Sequence, residues 1–276
     1  MQPQQAQTST PDLEAIKARQ QKTWSAGNYA RVGNTLVIMG ERLCEAVDLK
    51  AGQSVLDVAT GSGNTALSAA RRFARVTAID YVPSLLEQAK ARAAAEGLEV
   101  SFQEGDAESL PFPEAHFEVV LSTVGTMFAP NQEQTAAELL RVTRPGGKIG
   151  LVNWTPEGFI GQLFKVTGAH VPPPAGLKSP LLWGTAAHLR ELLGEGVSAL
   201  EVKRQYFVFH YHSPHHFMEF FRTYYGPTLK AFEALDEAGK ESLARGIEDL
   251  AAQFNRSSNG TLTIPSEYLE VVAVRS

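Results

Sequence analysis

A doubly wound α/β sheet is the fold class that this 276-residue sequence predicts, and three observations predict it. Short, almost wholly apolar runs alternate with helix-compatible stretches between residues 54 and 153. The first run stops abruptly in a glycine loop, and acids stand within the first run and at the close of the second. Unbroken apolar strands separated by helices describe a parallel sheet covered on both faces.

Each element follows in order. Residues 1–10, MQPQQAQTST, have neither a basic side chain nor an apolar stretch, so they read as a disordered tail and not as a targeting segment. Residues 11–47 read as a helical N-terminal segment: Asp12 to about Gln21 is charged and helix-compatible, Gly27 and Asn28 break it, and a second helix covers Thr35–Val47. Ser54–Val58 is a buried strand running into Ala59-Thr60-Gly61-Ser62-Gly63. Thr65–Arg72 resumes helical spacing, with Arg71 and Arg72 in the last turn, where cations offset the helix dipole. Val76–Ile79 is the next strand, closed by Asp80. Ser84 and Glu87 make a capping box for a helix that ends at Gly97. Strands follow at Val100–Gln103 and Phe117–Ser122, then a helix from about Asn131 to Thr143, a stop at Arg144-Pro145-Gly146-Gly147, and a strand over Lys148–Asn153. The sheet core thus occupies 48–155. In 156–276 the alternation lapses, leaving a helical stretch near Thr185–Leu193, helices between His215 and Phe254, and two further strands over Val202–Tyr211 and Thr261–Val274.

Composition removes several classes of function. With 25 Lys and Arg against 30 Asp and Glu, the net charge of -5 has the wrong sign for a nucleic-acid partner. Cys44 is the single cysteine, which rules out an internal disulfide and a cysteine zinc site and fits a cytoplasmic setting. No run approaches the roughly 18 successive apolar residues of a membrane span, so no membrane insertion is expected. His210, His212, His215 and His216 crowd together, but Pro214 divides them between a strand and a helix with no zinc spacing, so no metal is expected.

Chemistry concentrates at the glycine loop. Gly61-x-Gly63-x-x-Ala66 lies between a strand and a helix, where the backbone can approach a ligand and the helix start offers free N–H groups. Asp80 sits at the offset of a ribose-binding carboxylate, so a dinucleotide or another adenosine cofactor fits. Asp57, beside the loop, would repel a diphosphate and attract an ammonium group. Asp106, in Glu104-Gly105-Asp106-Ala107-Glu108, can accept from an adenine amino group.

Together with Arg141-Val142-Thr143-Arg144-Pro145-Gly146-Gly147, these motifs make Trp24 to Asn153 resemble the class I S-adenosylmethionine-dependent methyltransferases, in particular the group of ubiquinone/menaquinone-biosynthesis C-methyltransferases. The resemblance implies a seven-stranded, mostly parallel sheet in the order 3-2-1-4-5-7-6 with strand seven antiparallel, a helical N-terminal lid including Trp24 and Tyr29, and substrate-covering helices in the C-terminal half. It implies S-adenosyl-L-methionine as cofactor, with Asp57, Ala59, Gly61 and Gly63 at its methionine part, Asp80 and Tyr81 at the ribose, Asp106 and Ala107 at adenine, Ser122 or Thr123 near the sulfur, and Tyr29 in the lid. Ala59 departs from the family, which commonly has glycine there; a small shift in loop geometry is expected.

The expected activity is methylation of a small molecule. Ten of the 24 aromatic side chains fall within residues 206–232, which favours a hydrophobic or aromatic acceptor touched by Trp154, Tyr224 and Tyr225. His170, ahead of Val171-Pro172-Pro173-Pro174, is the candidate general base. Two rivals stay open at this level: an NAD-dependent oxidoreductase and a non-catalytic nucleotide-binding regulatory module. Nothing in these motifs bears on oligomeric state.

Overall fold

The computed structural model describes residues 12–276; the expected tail at 1–10 lies outside the described residues. Asp12 caps helix α1 (Leu13–Trp24) by accepting from the Ala15 N–H at 3.0 Å. A short α2 (Tyr29–Gly33) and α3 (Val37–Ala46) follow, so the second predicted helix starts a little later than Thr35.

Strand β1 (Ser54–Val58) leads into α4 (Asn64–Ala70), a helix of mostly small residues buried from Thr65 to Ala70. β2 (Arg75–Asp80), α5 (Pro83–Glu96), β3 (Val100–Glu104), β4 (Phe117–Thr123) and α6 (Gln132–Val142) continue the alternation. Gly97 ends α5 in the left-handed conformation expected of a C-terminal glycine. The predicted capping box at Ser84 does not form. Pro83 opens α5, Val82 takes the cap position without a side-chain bond, and Ser84 falls inside the first turn, because proline's fixed φ already starts the helix one residue earlier.

β5 (Thr143–Trp154) begins directly after α6. The predicted stop at Arg144–Gly147 is absorbed as a register shift against β4, between the Phe117–Thr143 and Val119–Lys148 pairs. α7 (Phe159–His170) is a helix the sequence did not announce, and α8 (Ala186–Leu193) lies where expected. β6 (Val197–Tyr211) starts five residues ahead of its predicted start at Val202. α9 (Pro214–Tyr224), α10 (Gly226–Glu233), α11 (Glu237–Phe254) and β7 (Leu262–Arg275) complete the chain.

The sheet order is β3-β2-β1-β4-β5-β7-β6. β1 pairs in parallel with β2 and β4, and β7 runs antiparallel to both β5 and β6. Chain direction across the sheet therefore reverses between β1 and β4, and the C-terminal ends of those two strands form an open crevice. Val55, Leu56, Val120 and Leu121 are fully buried beneath it, so the crevice floor is anchored in the core. A second block of core, built from Phe159, Phe209, Phe217 and Phe221, joins α7 and α9 to the far side of the sheet.

Candidate functional site

At the switch point the residues after β1, β2 and β4 border an open cleft, lined among others by Asp57, Ala59, Gly61, Asp80, Tyr81 and Thr123. Its position follows from topology: loops at the carboxyl ends of β1 and β4 leave in opposite directions and cannot cover the gap between them.

Two carboxylates dominate its electrostatics. Asp57 is 1% exposed; its Oδ2 accepts from Thr60 Oγ1 at 2.5 Å and from the Ala66 N–H at 2.9 Å. Asp80 is 5% exposed; its Oδ2 accepts from the Gly61 N–H at 2.8 Å and its Oδ1 from the Val82 N–H at 2.9 Å. Burial pushes Asp57 from 3.8 up to about 7 and Asp80 up to about 6, against the pull of those hydrogen bonds. A pair of anions so poorly solvated is stabilised by a cation. A dinucleotide would bring two more negative charges beside this pair, which disfavours that reading.

The loop itself is shaped by close approach. Gly61 has φ +56° and faces the Tyr29 ring, which a Cβ at residue 61 would meet at 3.2 Å. Ala59 holds φ +55°, a conformation that disfavours alanine, and the glycine that makes room for its methyl is elsewhere: a Cβ on Gly125 would lie 2.8 Å from that of Ala59. The shift expected from alanine in this loop is thus accommodated by the segment after β4.

Not every expected contact forms. Gly63, at φ +88°, does not line the cleft; a Cβ there would lie 3.0 Å from Ala89, so its part is the close packing of α4 on α5. Ser122 also points away from the cleft. Its hydroxyl donates to the Val58 carbonyl at 2.8 Å and accepts from the Thr126 N–H at 3.0 Å, pinning the turn after β4, and Thr123 is the residue that reaches the wall.

Helix α1 lies across the cleft, and this the sequence showed only in outline. Lys17 Nζ is 2.6 Å from Asp106 Oδ2 and 2.8 Å from Glu108 Oε2, Gln20 Nε2 donates to the Phe128 carbonyl at 3.1 Å, and Gln21 Nε2 donates to the Tyr81 carbonyl. Burial works against the Lys17 charge, but its bonds to the two acids outweigh it and raise its affinity for a proton. Asp106, whose Oδ1 also accepts the Glu108 N–H at 2.9 Å, is therefore a latch for α1 as well as part of the wall, together with Ala107. Lys17 and Phe128 were missed because neither belongs to a motif; a lone lysine on an exposed-looking helix carries no signal of its partner 89 positions away.

A second, smaller chamber adjoins the first, and Trp24, Tyr29, Phe128, Leu36 and Val124 line both. Trp154, Phe209, Phe221 and Tyr225 add to its wall, and no charged residue does. Trp154 and Tyr225 thus line this chamber. Tyr224 does not: its ring lies under Arg31, whose Cζ is 5.2 Å from the centroid, and its carbonyl accepts the Asn28 N–H. His170 lines neither chamber. Its Nδ1 is 3.0 Å from the Val166 carbonyl and its Nε2 3.0 Å from Ser242 Oγ, so the candidate base is spent in joining α7 to α11. Burial raises the hydroxyls of both chamber tyrosines, Tyr29 to about 12 and Tyr225 higher still. Among the described residues, no group of three His, Cys, Asp or Glu is placed to hold a metal ion, and no helix is long and apolar enough to cross a membrane.

Comparison with known proteins bears on this geometry. A family model described as "Methyltransferase domain" matches residues 55–147, which spans β1 to the start of β5. An uncharacterized protein of Mycobacterium tuberculosis is 39% identical over 234 residues, 84% of this chain and 85% of its own length. A demethylmenaquinone methyltransferase of Deinococcus radiodurans is 38% identical over 126 residues, 44% of this chain and 52% of that enzyme. Among solved structures, the Haemonchus contortus phosphoethanolamine N-methyltransferase 2 in complex with S-adenosyl-L-methionine superposes with a TM-score of 0.55 at 17% identity, over 86% of this chain and 52% of that one.

Proposed function

The chain belongs to the class I S-adenosylmethionine-dependent methyltransferases, and from that membership we propose that the larger cleft holds the methyl donor while the aromatic chamber beside it holds a small hydrophobic or aromatic acceptor. The residues fit the donor. Its positive charge suits a cleft whose two buried carboxylates are both pushed toward protonation for want of a counter-charge.

In this reading Asp57 faces the ammonium end, Asp80 and Tyr81 the ribose hydroxyls, and Asp106 and Ala107 the adenine edge, with Gly61 and Ala59 framing the methionine chain. Asp80 has a lone pair on each oxygen beyond the backbone bonds it already accepts, so it can hold the loop and the ribose together. The described part of this segment, from Asp12 to Val47, acts as a lid that Lys17 latches to the acids beyond β3, excluding water from the reacting centre. Bound there, the donor supplies an electrophilic methyl group on a cationic sulfur.

The observation that carries the acceptor assignment is the contiguity of the two chambers, the second walled by aliphatic and aromatic side chains without a single charge. Such a wall selects an uncharged, flat or greasy molecule and aligns its attacking atom, which is the main contribution a protein makes to an in-line displacement. No side chain in that chamber holds a proton-accepting group near neutral pH, since both tyrosines are shifted upward. The acceptor therefore enters uncharged, and the proton it gives up on methylation leaves to water or to a group outside this chamber. A cytoplasmic setting accords with the lone, buried Cys44. The demethylmenaquinone methyltransferase likeness supports a ring acceptor.

The test is a titration with S-adenosylhomocysteine and with NAD, followed by donor turnover against a metabolite extract read by mass spectrometry. Binding of the first alone and a product heavier by one methyl group in place of hydrogen are expected. Binding of NAD alone, or turnover confined to highly charged acceptors, would refute the assignment.

A further inference from the structure

The seam between the two chambers is bounded by three rings together with Leu36 and Val124. Trp24 stands nearly perpendicular to its neighbours, 5.8 Å from Tyr29 at 88°, 4.9 Å from Phe128 at 66° and 5.6 Å from Tyr225 at 75°, centroid to centroid. Trp24, Tyr29 and Phe128 line both chambers. The cleft's acids, Asp57, Asp80 and Asp106, line only the first chamber. Five residues line both chambers, Trp24, Tyr29, Phe128, Leu36 and Val124, so a reacting methyl group passing between them does so past three rings and two aliphatic side chains and no carboxylate.

We propose that Trp24, Tyr29 and Phe128 form an aromatic collar that recognises the positive charge of the donor's sulfur, so that the protein binds the charged donor more tightly than the neutral product at this point. The collar rests on the donor-site reading above and adds a determinant that the carboxylates do not supply. Those acids meet the ammonium, ribose and adenine, which the donor and its demethylated product share, whereas only the donor is cationic at sulfur. Transfer breaks the carbon–sulfur bond with its electron pair left on sulfur, forms the new bond from a lone or π pair of the acceptor, and releases the acceptor's proton. The ring attraction ends with that step, which favours product release.

The collar is also held by both halves of the chain. Gly27 forms a β-bridge with Tyr225, and the Asn28 N–H donates to the Tyr224 carbonyl at 3.1 Å, so the lid segment that carries Trp24 and Tyr29 is stitched to the junction of α9 and α10. This fixes Trp24 against the ring of Tyr225, about 200 residues further along.

The experiment is calorimetric titration of the full chain with S-adenosylmethionine and S-adenosylhomocysteine, in the wild type, Trp24→Leu and Trp24→Phe. Loss of a desolvated cation–π contact is expected to weaken the charged donor about 10-fold in Trp24→Leu and the neutral product less than about 2-fold, with Trp24→Phe retaining most of the preference. Equal losses for the two ligands, or no loss for the donor, would overturn the collar. A wild-type protein that binds neither ligand would overturn the donor site instead. If Trp24→Leu lacks a cooperative thermal transition, Phe128→Leu is titrated in its place, with the same ratio expected and equal losses again decisive against it.

Discussion

Replacing Asp57 with asparagine is expected to stabilise the ligand-free protein above neutral pH and at the same time weaken donor binding. An asparagine carbonyl can keep both bonds that Asp57 Oδ2 accepts, from Thr60 Oγ1 and the Ala66 N–H, while removing the buried charge. Burial moves the Asp57 carboxyl from 3.8 to about 7. A native state that keeps a proton the unfolded chain has lost is progressively destabilised as pH rises between those values, so wild-type stability should fall from about pH 4 to 7 and level off above. That shift corresponds to about 4 kcal/mol at most, and the weaker bonds to a neutral amide return about half of it, leaving a gain of about 2 kcal/mol for the variant at pH 8. In melting temperature this is about 5 °C. At pH 5, where wild-type Asp57 is already protonated, the gain should largely vanish. Thermal unfolding of both proteins from pH 5 to 8, followed by titration with S-adenosylhomocysteine at pH 8, reads both effects; the loss of charge at the ammonium should weaken binding about 10-fold. A variant less stable than wild type at pH 8, or one with the same pH slope, would refute the picture of a cleft whose stability is sacrificed to hold a cation.

Three further expectations follow from neighbouring residues. Gly61→Val should abolish donor binding, because the added side chain meets the Tyr29 ring at 3.2 Å and strains a φ of +56°; a cooperative melt with no calorimetric heat is the expected readout. Gly125→Ala should cost about 1–3 kcal/mol in chemical denaturation and weaken binding, since its Cβ would lie 2.8 Å from both the Cβ and the carbonyl of Ala59, and Ala59→Gly in the same chain should recover only part of that. Lys17→Met should cost less than about 1 kcal/mol of stability, the pair being partly solvent-exposed, yet make α1 a faster target for limited proteolysis and speed dissociation of S-adenosylhomocysteine in stopped flow.

The cofactor half of this protein is legible because its constraints are local. An apolar run, a glycine loop and an acid at a set offset are imposed by short-range geometry, and β1, β2 and their loops fall within a residue or two of where the pattern puts them. Where reasoning from sequence failed, a distant contact usually decided; Ser84, displaced by its own neighbour, is the exception. Ser84 reads as a cap only until Pro83 is given the first turn. Helix α7 carries Gly161, Gly168, Val166 and Thr167, all poor helix formers, and is helical because Phe159, Ile160 and Leu163 are buried against the sheet and α9. His170 looked free beside a proline run and is tied to Ser242, a partner 72 residues on. Alanine at position 59 looked like a minor departure from the family loop, and its accommodation by Gly125 appears only when β4 is laid beside β1.

The most direct test of the donor site is a crystal structure with S-adenosylhomocysteine bound. The ribose hydroxyls should lie within hydrogen-bonding distance of Asp80, the ammonium group beside Asp57, and the sulfur at the seam bounded by Trp24, Tyr29 and Phe128. Ligand density outside the cleft, or a sulfur turned away from the aromatic chamber, would contradict it.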